Sequence, residues 1–137
     1  MVSNETNFAE IIREKNDGKG VDVILDLVGA GYFPANLESL NVKGRLILVG
    51  TTSGSRAEIN FSQVMAKRVK IIGTVLRSRP TEEKAEATRK FAEEIVPLLT
   101  SGNLKPNIDK VFKIEKVREA HEYLESNASF GKIVLEF

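Results

Sequence analysis

The sequence predicts an α/β fold in which helices cover a mainly parallel sheet, and three observations carry that prediction. The runs VDVILDLV at residues 21–28 and RLILV at 45–49 are almost wholly apolar, the composition of strands buried on both faces. Each is followed at once by a glycine, Gly29 and Gly50, as a tight strand-to-helix turn requires. Around them apolar residues recur at three- and four-residue steps, so that helix and strand alternate along the chain.

The elements follow in order. Asn7 stands three residues before Glu10 in a capping-box arrangement, and Phe8, Ile11 and Ile12 form an apolar stripe that fades at Asn16-Asp17-Gly18. Val21 to Val28 is the first strand; interrupted only by Asp22 and Asp26, it reads as a central one. Pro34 suits the first turn of the next helix, with Leu37 and Leu40 facing inward. Lys43-Gly44 leads into the second strand, Arg45 to Val49. Gly50 to Ser55 is a loop of small residues, expected to be flexible, Ile59 to Lys67 a short helix, and Val69 to Leu76 a third strand whose Lys70 and Thr74 suit a sheet edge.

Past Pro80 the pattern changes, which places the one boundary there and divides the chain into 1–80 and 81–137. Thr81 offers an N-cap, and Thr88, Phe91, Ala92, Ile95, Leu98 and Leu99 mark a long amphipathic helix ended by Gly102. Pro97 lies inside it and removes a backbone bond, so a kink or an early finish is expected. A strand near Phe112, a helix with Val117, Ala120, His121 and Leu124 inward, and a strand from Lys132 to Phe137 complete the chain.

Composition excludes several classes. Twenty basic and nineteen acidic residues leave a net charge of +1, too weak a field to argue for nucleic acid or an anionic membrane surface. With no cysteine and a single histidine, His121, neither a disulfide framework nor a thiolate metal site can form, and no metal ligand is assigned. No apolar run is long enough to span a bilayer, and the polar start MVSNETN lacks the pattern of a signal peptide, so the expected compartment is the cytoplasm. Asn4-Glu5-Thr6 and Asn127-Ala128-Ser129 match the glycosylation acceptor pattern and read as chance matches in that setting.

Open parallel sheets bind ligands at the carboxyl ends of their strands, which directs attention to Asp26-Leu27-Val28-Gly29 and Leu48-Val49-Gly50-Thr51. The glycines serve either the close approach of a flat ligand or the turn alone. Asp26 either meets a ligand or caps its own turn.

The order VDVILDLVG, GRLILVG, KRVKIIGTVLRSR and EAHEYLESNASFGKIVLEF resembles the medium-chain dehydrogenase/reductase superfamily, in its zinc-independent quinone oxidoreductase branch, over nearly the whole chain. The resemblance implies the rear half of a doubly wound, Rossmann-like parallel sheet, followed by a helix-strand-helix-strand return segment belonging to a catalytic domain. It implies NADPH as cofactor, a small-molecule quinone or enone as substrate, and a homodimer through Val69 to Leu76. Carried over by position, Asp26, Val28 and Gly29 would border the cofactor, Val49, Gly50 and Thr51 would lie against the nicotinamide, and Leu76 and Arg77 would stand near the carboxamide and substrate mouth. Asn127 and Lys132 would return to the cofactor from the other domain, Lys132 as a point charge for a phosphate. Arg77 and Arg79 can equally be solvated, Lys132 an ordinary strand-edge lysine, and His121 a packed structural residue. No catalytic acid or base is assigned, because hydride transfer rests on the cofactor.

The sequence lacks the family's first strand with its glycine-rich turn and the segment that reads the adenosine ribose. The isolated chain is therefore expected to expose the edge of its first strand, pair with another chain there, bind NADPH poorly and turn over nothing. Two other classes remain: a methyl donor-binding methyltransferase domain, since an acidic residue after a buried strand occurs there too, and a non-catalytic dimerisation or interaction module.

Overall fold

The computed structural model describes residues 8–137, and the chain divides into two compact units, one ending at Arg79 and one running from Pro80 to Phe137. The capping box at Asn7 and the first glycosylation match lie outside the described residues.

The first unit alternates helix and strand: α1 (Ala9–Lys15), β1 (Val21–Asp26), α2 (Phe33–Ser39), β2 (Leu40–Leu48), α3 (Phe61–Lys67) and β3 (Lys70–Gly73). The strands form a parallel sheet in the order β1-β2-β3. Regular pairing of β1 with β2 starts at Val23 opposite Arg45; before it Asn41–Gly44 loops out, with Lys43 left-handed at φ 66°. The apolar run from Arg45 is thus the paired body of the strand, as the sequence indicates, while Leu40 is the buried junction between α2 and β2.

Helix ends follow local chemistry. α1 stops where Asp17 and Gly18 turn left-handed and the Gly18 amide reaches back to the Arg13 carbonyl. Pro34 sits in the first turn of α2, where its missing N–H costs nothing. The carboxyl end of α2 is closed by Lys67 from α3, whose Nζ donates to the carbonyls of Leu37, Glu38 and Leu40 at 2.7–2.8 Å. This places a cation on the negative end of the helix and ties α3 to α2. Arg13 pairs with Glu38, and Phe8 packs edge-on to Tyr32 at 5.0 Å, joining α1 to α2.

The two faces of this sheet are unequal. Ile24, Asp26 and Leu46 face the helices, and Leu46 is fully buried. On the other face Leu25, Ile47 and Ile72 stand in register across all the strands, with Leu25 61% exposed and Ile72 42% exposed. Within this chain β1 lies at the edge of the sheet, as expected of the isolated chain; it ends at Asp26, and the reading of Val21–Val28 as covered on both faces is corrected, because one face is open. Its apolar run fits a strand with two covered faces, and this chain supplies one cover.

The second unit contains α4 (Thr81–Glu94), α5 (Val96–Thr100), β4 (Ile108–Lys113), a 3-10 turn (Ile114–Lys116), α6 (Val117–Glu125) and β5 (Lys132–Glu136). β4 and β5 pair in parallel across α6. The N-cap of α4 is Pro80, held extended at ψ 154°, and Thr81 is already helical without a side-chain cap bond, which corrects its assignment as the cap. The helix does finish early at Pro97: α4 ends at Glu94 and the chain restarts as α5, since proline has no N–H to offer the preceding turn. No residue of α4 is buried within this unit, so the apolar positions around Phe91 remain open.

Phe112 and Ala120 are the buried centre between β4 and α6. An irregularity in the pairing between Ile108 and Lys110 re-aims Asp109, and the Tyr123 hydroxyl donates to it at 2.9 Å. Lys110 lies over the rings of Phe112 and Tyr123, 4.9 and 4.7 Å from their centroids. His121 is exposed rather than packed, and with Ala120 and Leu124 of α6 and Ile133 and Leu135 of β5 it lines a small open cavity of about 130 Å³.

Two outcomes are expected. Lys67→Met removes the cap from α2 and lowers unfolding free energy by about 1–2 kcal/mol in denaturant titration. Its hydrogen bond to Asp109, then burial and the Asp109 charge, hold the Tyr123 phenol above the usual tyrosine range. Stability from this bond is present below the unfolded tyrosine pKa and lost as pH rises through the folded one. In a Tyr32→Phe background, ultraviolet titration of the remaining phenol should shift downward when Asp109→Asn is added.

Candidate cofactor site

The site is built from the turns that leave β1 and β2 at their carboxyl ends. Asp26, the last residue of β1, is 3% exposed. Its Oδ1 accepts from the backbone amides of Val28 (2.7 Å) and Gly29 (3.0 Å), and its Oδ2 accepts from Asn36 Nδ2 of α2 (3.0 Å). Both carboxylate oxygens are thus committed to folding the turn. Of the alternatives open for Asp26, the geometry shows the turn-capping one.

The two turns then lock together. The Val49 amide donates to the Asp26 carbonyl at 2.7 Å, Ser53 N to the Val28 carbonyl at 2.9 Å, and Ala30 N to the Gly54 carbonyl at 3.0 Å. Ser53 Oγ accepts from Gly31 N and donates to the Val28 carbonyl, both at 2.8 Å. Residues 50–55, which read as a flexible loop, are fastened to the turn after β1 by these bonds.

This interlock explains the glycines. A Cβ on Gly50 would stand 2.5 Å from the Leu27 carbonyl oxygen, and one on Gly29, at φ 87°, would stand 2.8 Å from the Gly54 carbonyl oxygen and 2.9 Å from Thr51 Cα. The close approach that demands glycine here is between the two turns.

Beside the interlock lies an open cleft of about 260 Å³, lined by Gly29, Ala30, Phe33, Leu48, Thr51 and Gly54 and closed by Ser55, Ala57 and Ile59. The wall is mostly apolar, with the polar groups of Thr51 and Ser55 at its surface. Among the sequence-derived candidates, Gly29 and Thr51 line it directly. Asp26, Val28, Val49 and Gly50 belong to the turns that carry those residues but do not line the cleft themselves, and the Val49 side chain is exposed. Leu76 and Arg77 are exposed after β3, at the same end of the sheet, where Thr74 N donates to the Leu48 carbonyl at 2.9 Å and Arg79 folds back onto the Val75 carbonyl and Thr74 Oγ1. Asn127 and Lys132 belong to the second unit: Asn127 is left-handed at φ 54° just past α6, and Lys132 is exposed, its amide held by the Asn107 carbonyl at 2.8 Å.

Phe33, Ala57 and Ile59 were missed by the sequence reading. Phe33 sits beside Pro34 at a helix start, and a hydrophobic residue there signals packing in general. Ile59 was assigned to a helix that begins only at Phe61.

Parallel strands, a cleft at their carboxyl ends and paired glycine turns define a dinucleotide-dehydrogenase type of half-sheet. A family model, zinc-binding dehydrogenase, matches residues 2–135, and the chain belongs to that family, within the medium-chain dehydrogenase/reductase superfamily. Among its relatives, a human quinone oxidoreductase is 33% identical over 132 residues, covering 96% of this chain and 38% of the relative. Among solved structures, a quinone oxidoreductase from Pseudomonas syringae pv. Tomato DC3000 superposes with a TM-score of 0.71 at 26% identity, over 97% of this chain and 40% of that one. A mycobacterial protein in complex with NADPH gives a TM-score of 0.68 at 27% identity, over 97% and 41%. The chain therefore spans about two-fifths of the length of these proteins.

The zinc in the family's description finds no fitting donor set here. The sequence has no cysteine and one histidine, and among the described residues no group of three potential ligands comes together. Among the described residues no helix is long and apolar enough to cross a membrane.

The interlock is testable by one added methyl. Gly50→Ala drives a Cβ against backbone and should cost about 2–3 kcal/mol. Gly73→Ala, where a Cβ meets nothing within 4 Å, is the control and should leave the thermal midpoint nearly unchanged.

Proposed function

We propose that this chain is the nicotinamide-facing part of an NADPH-dependent oxidoreductase that reduces a quinone or conjugated carbonyl compound. One observation carries the reading: the cleft beside the interlocked turns stands at the carboxyl ends of parallel strands in a chain matched along its length by a dehydrogenase family. Its volume suits one ring with its substituent, and pockets that enclose whole drug-sized ligands are about 300 Å³ or more. The nicotinamide end is the part of the cofactor that fits.

When bound, NADPH supplies the hydride. Gly29 and Thr51 would meet the ring directly, with Val28, Val49 and Gly50 holding the turns that shape the wall and Asp26 bracing them. The apolar lining of Phe33, Leu48 and Ile59 would exclude water from one side of the ring, and the Thr51 and Ser55 hydroxyls offer donors and acceptors for its amide. Leu76 and Arg77 would border the substrate mouth. Asn127 and Lys132 would join from the return segment, 81–137, as part of the catalytic domain, with Lys132 serving a phosphate. Self-association through Val69 to Leu76 is supported by the outer position of β3, whose residues are all exposed. A cytoplasmic enzyme acting on a small molecule is the setting this reading gives.

Nuclear magnetic resonance titration of the full chain tests it. Reduced nicotinamide mononucleotide and NADPH should both perturb the amides of Gly29, Thr51 and Gly54, while adenosine 2′,5′-bisphosphate leaves them unmoved. Perturbation by S-adenosylmethionine alone, or by the adenosine fragment alone, would overturn the reading.

A further inference from the structure

The geometry points to Asp26 as a positioning residue that sets the shape of the cleft through Asn36, and not as a contact for the bound molecule. This rests on the cofactor reading above and says which residue controls that site.

The chain of contacts is continuous. Asn36, 2% exposed on α2, offers its Nδ2 to Asp26 Oδ2, which fixes the carboxylate in rotation. The other oxygen then takes the amides of Val28 and Gly29 together, so the direction of the peptide entering Gly29 is set by a helix and not by solvent. Val28 passes that position on: its carbonyl accepts from both the amide and the hydroxyl of Ser53, in the opposite turn. Ser53 also holds Gly31, and the neighbouring Gly54 carbonyl receives the Ala30 amide. Gly29, Thr51 and Gly54, which line the cleft, all hang from this network. A buried carboxylate with both oxygens engaged behind the turn offers little to a ligand, and it is the side-chain link from α2 to the turn, alongside the direct contact that Phe33 at the start of α2 makes with the cleft.

The exchange of side chains between the two positions separates positioning from contact. In Asp26→Asn, keeping the two backbone bonds turns an NH₂ toward the NH₂ of Asn36, leaving two buried donors facing each other. The double variant Asp26→Asn/Asn36→Asp restores a donor facing an acceptor. Amide spectra of the unliganded full chain should show Gly29, Thr51 and Gly54 displaced in the single variant and returned in the double one. Movement confined to Val28 and Gly29 would overturn the inference. NADPH affinity, measured below the melting temperature of each variant, should fall roughly tenfold in the single variant and recover in the double. Recovery of the melting temperature without recovery of affinity would make Asp26 a ligand contact and overturn the inference, as would an unchanged affinity in the single variant. If the wild-type chain binds no NADPH, the cofactor reading falls, and the unliganded spectra still decide the positioning role. Should Asp26→Asn fail to fold, Ser53→Ala provides the same readout one step along: Gly31 and Gly54 must move together, and their independence would count against the network.

Discussion

A single buried carboxylate is where strand, helix and turns meet. Asp26 closes β1, holds the turn after it and anchors α2 through Asn36, so the path of the chain from sheet to helix depends on one side chain. Charge in such a place is tolerable because it is fully answered: three donors point at it, and among the described residues no buried polar side-chain atom lacks a partner. Had any of those donors been missing, the site would have been a liability. With all of them present it has one arrangement, and the cleft inherits that definiteness.

Much of this was legible in the sequence, and the residues show why. The runs around Ile24 and Leu46 indicated strands because they are short, rich in branched apolar residues and closed at once by glycine. Pro97 announces the break between α4 and α5 because proline acts through its own backbone. Gly29 and Gly50 were recognisable as places of close approach, but what approaches them was not: the neighbour is the opposite turn, which stands more than twenty residues away in sequence. Asp26 was ambiguous for the same reason, since its decisive partner, Asn36, carries no pattern of its own. The N-cap at Pro80 and the exposed face of β1 were misjudged because both depend on what surrounds an element and not on its composition. His121 lies in a stripe that reads as inward, and it does stand with Ala120 and Leu124 against Ile133 and Leu135, but beside an open cavity rather than in a packed core.

The second unit shows a different economy of contacts. Two parallel strands with one helix across them leave most of β4 open, and the space is filled at one corner by Phe112, Tyr123 and the stacked ammonium of Lys110. The irregularity at Asp109 makes that corner possible by turning a polar side chain toward α6 that regular pairing would send away. Family membership fits this economy: in longer relatives such a segment is one part of a larger body, and surfaces such as the Leu25–Ile47–Ile72 row need not be finished by this stretch of chain alone.

The strand order of the first unit has a consequence for how it forms. Because β1, β2 and β3 lie side by side in the order in which they occur, each new strand completes its pairing with one already made. Regular parallel pairing joins residues 22 to 25 apart, so a crossover must close before a strand gains its neighbour, but no later strand has to insert between two already paired, and the sheet can grow from one edge like a row being laid.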